Sequence, residues 1–224
     1  MDRVVVSWSG GKDCCFALDK VSQQGCEVAG LLVTAPQEQG TSFGHGLAIE
    51  RIEAQAKALG LPLYVVHCTY DSYTEDFVAK LKEIKEQGIT GVVFGDLYLE
   101  GHREWGEKVA KEVGIDCFYP LWMDQKESAE AIHQFVDSGY EAIICRLRPE
   151  LLDKEWLGQN VDKQFAKATT TYPICPMGEA GEYHTYVIDG PLFTNRIEIK
   201  EAVVREMETT VLYDILKVEL IEKG

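Results

Sequence analysis

The sequence predicts an α/β fold, in which a doubly wound, mostly parallel sheet is followed by a smaller α+β domain. Short apolar strands alternate with helical segments over residues 4–147, and those strands are apolar almost throughout. After Arg148-Pro149 the pattern changes to polar-apolar alternation. Alternating strands and helices indicate βαβ units, and strands without a polar face are typical of a parallel sheet that is covered on both sides.

The strands of the first domain are predicted from short runs rich in β-branched residues. They lie at residues 4–8, 27–34, 63–68, 92–95 and 142–147, and residues 117–122 are predicted to be extended. The helices are predicted from apolar residues at helical spacing, and most of them end at a glycine. They lie at residues 13–24, 47–59, 74–87, 104–113 and 129–136. In a doubly wound sheet, ligands bind at the carboxyl ends of the strands.

The chain is predicted to divide near residue 150, into domains of residues 1–149 and 150–224. In the second domain, residues 151–168 form a polar stretch with helical spacing. The stretches "YHTYVIDGPLFTNRIEI" and "TVLYDILKVELI" alternate like antiparallel strands. We therefore expect a small α+β domain behind the parallel sheet.

The composition indicates a globular chain without a membrane partner. Of 224 residues, 46% are hydrophobic and 26% are charged, and no run approaches the ~18 apolar residues of a membrane span. The first residues contain an acid, Asp2, followed directly by a predicted strand. This stretch lacks the basic region and the apolar region of a signal peptide. Seven scattered cysteines fit reduced thiols. We predict a cytoplasmic protein without structural zinc.

The formal net charge of −15 argues against a nucleic-acid partner, because lysine and arginine dominate binding to phosphate backbones. No basic run is visible in the sequence. We therefore expect no nucleic-acid partner. Assembly into a homo-oligomer is left open.

A glycine turn follows the first strand, in Ser9-Gly10-Gly11-Lys12-Asp13-Cys14. It is not a Walker A loop, since Val6 and Asp13 stand where that motif needs glycine and Ser or Thr. A strand, two glycines and a helix N-terminus nevertheless make an anion site, to which Lys12 would add a charge. The stretch predicts a phosphate-binding loop.

A second motif pairs two carboxylates around a glycine, in Gly178-Glu179-Ala180-Gly181-Glu182-Tyr183-His184-Thr185. Glu179 and Glu182 could face a metal, an ammonium ion or another small cationic ligand. The residues alone favour the simpler alternative, an acidic loop that leads into a strand.

Both motifs resemble those of one enzyme family. The first resembles the SGGxDS loop of the PP-loop ATP pyrophosphatase superfamily, with Cys14 in place of the last serine. The second resembles the GExGEYxT…DxPLF signature of the diphthine–ammonia ligase family within that superfamily. The similarity extends to Gly95, Asp96, Arg103, Glu107, Leu121, Trp122, Leu157 and Gly158. His184 departs from the eukaryotic pattern, which has Glu there, so no role is carried over to it.

The resemblance implies a Rossmann-like sheet of the HUP type, as in adenine nucleotide alpha hydrolases, with ATP and Mg²⁺ as cofactors. It implies nucleotide binding by Ser7, Ser9, Gly10, Gly11, Lys12, Asp13, Cys14, Thr34, His45 and Gly95. It implies catalytic roles for Lys12, Glu179 and Glu182, and substrate binding by Asp96, Arg103, Glu107, Tyr183 and Thr185.

Some of these residues have alternative roles. Asp96 follows a strand and could hold Mg²⁺ or a substrate amine, or cap a helix. His45 lies between two glycines and could contact phosphate or be merely exposed. Arg103 could bind a carboxylate or phosphate, or pair with Glu100 or Glu107. Cys14 at a helix N-terminus could have a lowered pKa and act as a nucleophile.

The reaction implied by the resemblance forms an amide from a carboxylate, ATP and ammonia. The carboxylate attacks the α-phosphorus, pyrophosphate leaves, and ammonia displaces AMP. In the family the acceptor is diphthine, a modified histidine of elongation factor 2, and a related carboxylate is the alternative. Two other functions stay open: a non-catalytic ATP- or AMP-binding regulator, and a PP-loop enzyme that modifies tRNA.

Overall fold

The computed structural model describes residues 1–36, 42 and 46–224. Its first sheet has five strands in the order β3-β2-β1-β4-β5, and every pair is parallel. These strands are β1 Arg3–Ser7, β2 Glu27–Pro36, β3 Leu63–Cys68, β4 Gly91–Val93 and β5 Asp116–Phe118. The helices between them are α1 Lys12–Gln23, α2 Ile49–Leu59, α3 Tyr73–Lys85 and α4 Glu100–Val113.

Helices cover both faces of the parallel sheet. Val4 and Val6 of β1 belong to one core cluster with residues of α1 and α2, whereas Val5 belongs to a second cluster with residues of α3 and α4. Successive side chains of a strand point to opposite faces. The centre of β1, Val4–Val6, must therefore be apolar on both faces, and the predicted doubly wound fold class is confirmed.

A second sheet follows, with its strands in the order β7-β6-β9-β8 and all pairs antiparallel. Its strands are β6 Glu141–Leu147, β7 Tyr183–Asp189, β8 Asn195–Glu206 and β9 Val211–Glu222, and its helices are α5 Ser128–Asp137 and α6 Lys163–Thr169. Short 3₁₀ turns lie at Gln125–Glu127 and Lys154–Trp156. The predicted smaller α+β unit is thus present.

The strand predicted at residues 142–147 forms as β6, but it pairs in the antiparallel sheet and not in the parallel one. Its apolar sequence is typical of a parallel strand because the strand is buried on both faces. Burial alone does not show which strands it pairs with. The second sheet therefore begins before residue 150. The domain boundary near that residue remains a prediction.

The two sheets meet at the loop after β1. The Val187 amide of β7 donates to the Gly10 carbonyl at 3.0 Å, and the Lys12 amide donates to the Thr185 hydroxyl at 2.9 Å. One core cluster continues across both sheets. This contact brings the start of β7 to the carboxyl edge of the parallel sheet. Among the described residues, no helix has the length and apolarity needed to span a bilayer.

Candidate active site

The loop after β1 has the strand, glycine turn and helix N-terminus that the sequence predicts. Gly10 has φ +85°, and Gly11 caps α1 in an extended conformation. A Cβ atom on Gly10 would lie 2.7 Å from Cδ1 of Ile52 and 2.9 Å from Oε1 of Gln55. Only glycine fits both the backbone conformation and the space at this position.

A cleft of about 370 Å³ lies between this loop and the loop that precedes β7. Eight of the predicted site residues line it: Ser7, Ser9, Asp13, Cys14, Thr34, Gly95, Asp96 and Glu179. Gly10 and Gly11 form the turn at its base. His45 lies outside the described residues. Ligand binding by these residues stays a prediction.

The amino group of Lys12 does not line the cleft. The side chain is buried, and its Nζ lies 2.9 Å from Oδ2 of Asp13 and 2.5 Å from the carbonyl oxygen of Met177. The same nitrogen lies 4.9 Å from the centre of the Tyr183 ring. Lys12 therefore ties the glycine turn to the second sheet, and it neutralises Asp13 from behind. With its Nζ bound to Asp13 and Met177, Lys12 is not placed to contact a phosphate in the cleft directly.

Cys14 is packed against the turn. Its Sγ donates to the Gly11 carbonyl at 3.1 Å and lies 3.5 Å from the Ser9 hydroxyl. Burial raises the pKa of the Cys14 thiol, and the hydrogen bond with Ser9 opposes that shift only in part. The suggestion of a thiol activated by a lowered pKa is therefore wrong, because desolvation of the thiol outweighs the hydrogen bonds that oppose it.

Three side chains from separate elements converge at one edge of the cleft. Ligand atoms of Asp96, His102 and Glu179 all lie within 4.8 Å of one another. Nδ1 of His102 lies 2.8 Å from Oδ1 of Asp96, and Oε1 of Glu179 accepts a hydrogen bond from the Leu97 amide at 2.9 Å. The group has two carboxylates and an imidazole, which can serve as ligands of a divalent cation.

Burial and neighbouring charges perturb this group. Burial raises the pKa of Glu179 to about 7, and the charges of Asp13 and Asp96 add to the shift. The hydrogen bond with Asp96 raises the pKa of His102 above its usual value. Desolvation likewise raises the pKa of Asp13, although Lys12 opposes that shift. A concentration of negative charge facing a cleft favours the binding of cations.

Three further predicted residues, Glu182, Tyr183 and Thr185, are buried beneath the lining of the cleft. The Tyr183 hydroxyl donates to the Pro176 carbonyl at 2.6 Å. Glu182 accepts a hydrogen bond from the Cys175 amide at 2.8 Å. These side chains hold the loop before β7 in shape, so the structure gives no direct substrate contact for Tyr183 or Thr185.

Arg103 and Glu107 also lie away from the lining of the cleft. Nε of Arg103 donates to Oε1 of Glu107 at 2.8 Å, and both side chains are exposed. The guanidinium group lies 4.9 Å above the Trp122 ring. Of the alternatives that the sequence left open, the structure shows the surface ion pair.

Several cleft residues were not predicted from the sequence. His184, Tyr73, Ser42 and Gly181 line the cleft, and His102 and Trp105 line an adjoining cavity of about 420 Å³. His184 was set aside because it departs from the family pattern, yet its place within the signature was a usable signal. Tyr73 and Trp105 come from helices whose aromatic residues look like ordinary core residues.

Two family models together match most of the chain. The family model "Diphthamide synthase N-terminal domain" matches residues 2–117, and "Diphthamide synthase C-terminal domain" matches residues 127–221. A diphthine–ammonia ligase of Rattus norvegicus is 26% identical over 238 residues, which is 92% of this chain and 86% of that protein.

Two further similar relatives carry the same name. The protein of Homo sapiens is 25% identical over 232 residues, covering 90% of this chain and 84% of its own length. The protein of Schizosaccharomyces pombe is 29% identical over 224 residues, covering 88% of this chain but only 36% of its own length. Because matches to the two domain models extend over most of its length, the chain belongs to the diphthamide synthase family of ligase enzymes.

Proposed function

We propose that the chain is an AMP-forming ligase that activates a carboxylate with ATP and joins it to ammonia. The proposed acceptor is diphthine on elongation factor 2, as the name of the relatives suggests. One observation carries the proposal: the glycine turn after β1 and the Glu179 loop before β7 face each other across one cleft. A nucleotide and an acid could therefore be held on opposite walls.

The chemistry requires activation because a carboxylate and ammonia form a salt at neutral pH. Attack of the carboxylate oxygen on the α-phosphorus forms an acyl-adenylate and releases pyrophosphate. Ammonia then attacks the acyl carbon, the bond between that carbon and the phosphate oxygen of AMP breaks, and AMP and a proton from the nitrogen are released. The chain's contribution is to position the reactants and to stabilise charge.

The residues of the cleft suit these tasks. The Ser9 hydroxyl and the N-terminus of α1 would bind the outer phosphates, because free N–H groups and the helix dipole favour anions there. The backbone of β1 and β2 would hold adenine, with Leu32, Val33 and Thr34 in the lining. Trp8 is buried and fixes the start of the turn through its indole N–H, which donates to Gln55 at 2.9 Å.

Asp96 and Glu179 would hold Mg²⁺ beside the phosphates. Mg²⁺ in nucleotide sites usually takes one or two carboxylates together with phosphate oxygens and water, which fits the two carboxylates at this edge. When bound, the ion supplies charge neutralisation for the polyphosphate. The chain's own part is to keep both carboxylates at the cleft, through the hydrogen bonds to His102 and to the Leu97 amide.

The test is a reaction of the purified chain with ATP, Mg²⁺, ¹⁵N-ammonium and elongation factor 2 that carries diphthine. We expect AMP and pyrophosphate in equal amounts, and ¹⁵N in the modified histidine. Elongation factor 2 without diphthine is the control and should yield no AMP. Absence of AMP with the diphthine form would overturn the proposal. The cytoplasmic location and a homo-oligomeric state remain predictions.

A further inference from the structure

A single buried carboxylate behind the cleft lacks part of its hydrogen bonding. Glu182 is 7% exposed, and its Oε1 accepts the Cys175 amide at 2.8 Å. Its Oε2 is also buried, yet no described residue donates a hydrogen bond to it. Burying an unpaired carboxylate oxygen costs several kcal/mol unless a donor or a cation reaches it. The oxygen therefore needs a donor or a cation from outside the described residues.

The loop around Glu182 is rigidly built. The Gly178 amide donates to the Cys175 carbonyl at 2.8 Å, and the Gly181 amide donates to the Gly178 carbonyl at 3.0 Å. The Arg148 amide donates to the Glu182 carbonyl at 2.9 Å. These bonds hold the backbone on both sides of Glu182, and the Cys175 amide holds its carboxylate.

The neighbouring lysine serves a different partner. Nζ of Lys12 reaches this loop but binds the Met177 carbonyl and the Asp13 carboxylate. A cation of the protein thus fills one acceptor position under the loop. The Oε2 atom of Glu182 is the acceptor that no such cation fills among the described residues.

The carboxylate lies close to the cleft. Gly181, which directly precedes Glu182 in the chain, lines it. Glu179 itself lines the cleft, three residues before Glu182 in the same loop. An ion at Glu182 would therefore lie directly behind the residues that line the cleft.

We propose that Glu182 binds the ammonium ion from which the ligase draws its ammonia. This inference rests on the proposed function, because it names the position of one substrate of that reaction. A single unpaired carboxylate oxygen suits a monovalent ion that donates N–H bonds. Divalent cations take several oxygen ligands, which the described residues around Glu182 do not supply.

The binding test uses thallium(I), a heavy monovalent ion of a size similar to ammonium. Crystals soaked in thallium(I) acetate should show an anomalous peak beside Oε2 of Glu182. Addition of ammonium acetate should remove that peak, while choline acetate at the same ionic strength should leave it. These measurements use the unchanged chain, so they decide the proposal even where a variant fails to fold. A peak absent from this position, or only a water molecule there, would overturn it.

Variants then identify the ligand. Glu182→Gln keeps a side-chain oxygen for the Cys175 amide but removes the charge, and it should abolish the thallium peak. Glu179→Gln, the matched control in the same loop, should retain the peak at Glu182. Persistence of the peak in Glu182→Gln would contradict the assignment.

The kinetic test separates ammonium binding from adenylation. Glu182→Gln should raise the KM for ammonium by roughly 10- to 100-fold, as expected for loss of a charge-assisted hydrogen bond. Acceptor-dependent exchange of pyrophosphate into ATP needs no ammonia, so its rate should fall far less than the rate of amide formation at limiting ammonium. An unchanged KM for ammonium would overturn the inference. Failure of the unchanged chain to exchange pyrophosphate would instead refute the proposed function, and the thallium peak would still decide the ion site.

Discussion

The side-chain amide of Gln55 donates a hydrogen bond of 2.9 Å to the carbonyl of Gly10. The same nitrogen donates to the Val187 carbonyl at 2.8 Å, and Oε1 of Gln55 accepts the Trp8 indole N–H at 2.9 Å. Gln55 is fully buried in α2. One side chain thus fixes the glycine turn to a helix of the first sheet and to a strand of the second.

Replacing Gln55 should therefore destabilise the protein and loosen the turn. In Gln55→Leu, the Gly10 and Val187 carbonyls and the Trp8 indole lose this partner inside the core. We expect a loss of about 3 kcal/mol in the free energy of unfolding, since each buried unpaired group costs about 1–3 kcal/mol and some are partly satisfied elsewhere. Urea unfolding measures it. Gln134→Leu, at an exposed position of α5, should change the value by no more than ~0.5 kcal/mol.

Gly10 cannot carry a side chain without moving its neighbours. Gly10→Ala combines an unfavourable φ of +85° with a Cβ atom 2.7 Å from Cδ1 of Ile52. Gly25→Ala is a matched control, because it has φ +87° but nothing within 4 Å of its Cβ. We expect Gly25→Ala to cost about 1 kcal/mol from the backbone alone. Gly10→Ala should lower the free energy of unfolding clearly more than Gly25→Ala does, and it should also weaken ATP binding. Equal losses of the two variants in urea unfolding would contradict the predicted clash.

Glu179 should make the stability fall as pH rises. Burial raises its pKa from 4.5 to about 7, so the folded protein binds more protons than the unfolded chain between these values. The stability from this group is fully present below about pH 4.5 and is lost as the pH rises through about 7. Glu179→Gln should remove this contribution, as measured by urea unfolding at several pH values. Glu155→Gln, at an exposed position, should leave the profile as it is.

Most of the fold was predictable because its elements carry local signals. The apolar strands, the glycine turn and the alternation in β8 and β9 all reflect local burial. The sheet to which β6 belongs was not predictable. Ile143 and Ile144 are buried in the antiparallel sheet, and they would be equally buried in the parallel one. The same limit applies to the site. Asp96 and Glu179 were predicted from motifs, whereas the convergence of His102 with them depends on how α4 packs beside β4.

Lys12 shows why a residue's type predicts less than its contacts. A lysine in a phosphate loop suggests a direct contact with phosphate, but this one is enclosed by Asp13 and Met177. Its effect on a nucleotide would act through Asp13, which lines the cleft. That arrangement separates two roles, neutralisation of a carboxylate and contact with a ligand, that the sequence alone could not distinguish.

Loss of Lys12 should therefore weaken both stability and ATP binding, and a second change should restore the binding. In Lys12→Met, the Asp13 carboxylate loses its partner and presents an uncompensated charge to the polyphosphate. We expect a loss of about 3 kcal/mol in the free energy of unfolding, at the lower end for a broken buried pair because Asp13 is 29% exposed. We also expect ATP affinity to fall roughly tenfold by calorimetry, or about 1.4 kcal/mol.

The double variant Lys12→Met with Asp13→Asn decides how Lys12 acts. If Lys12 serves to neutralise Asp13, removal of both charges should recover most of the ATP affinity. If Lys12 instead contacts phosphate, the double variant should bind as weakly as Lys12→Met. Lys20→Met is the control in the same helix, where Nζ lies 4.6 Å from the centre of the Phe16 ring. It should cost less than ~1 kcal/mol of stability and leave ATP affinity unchanged, because that ammonium group stands over an aromatic ring and not beside the cleft.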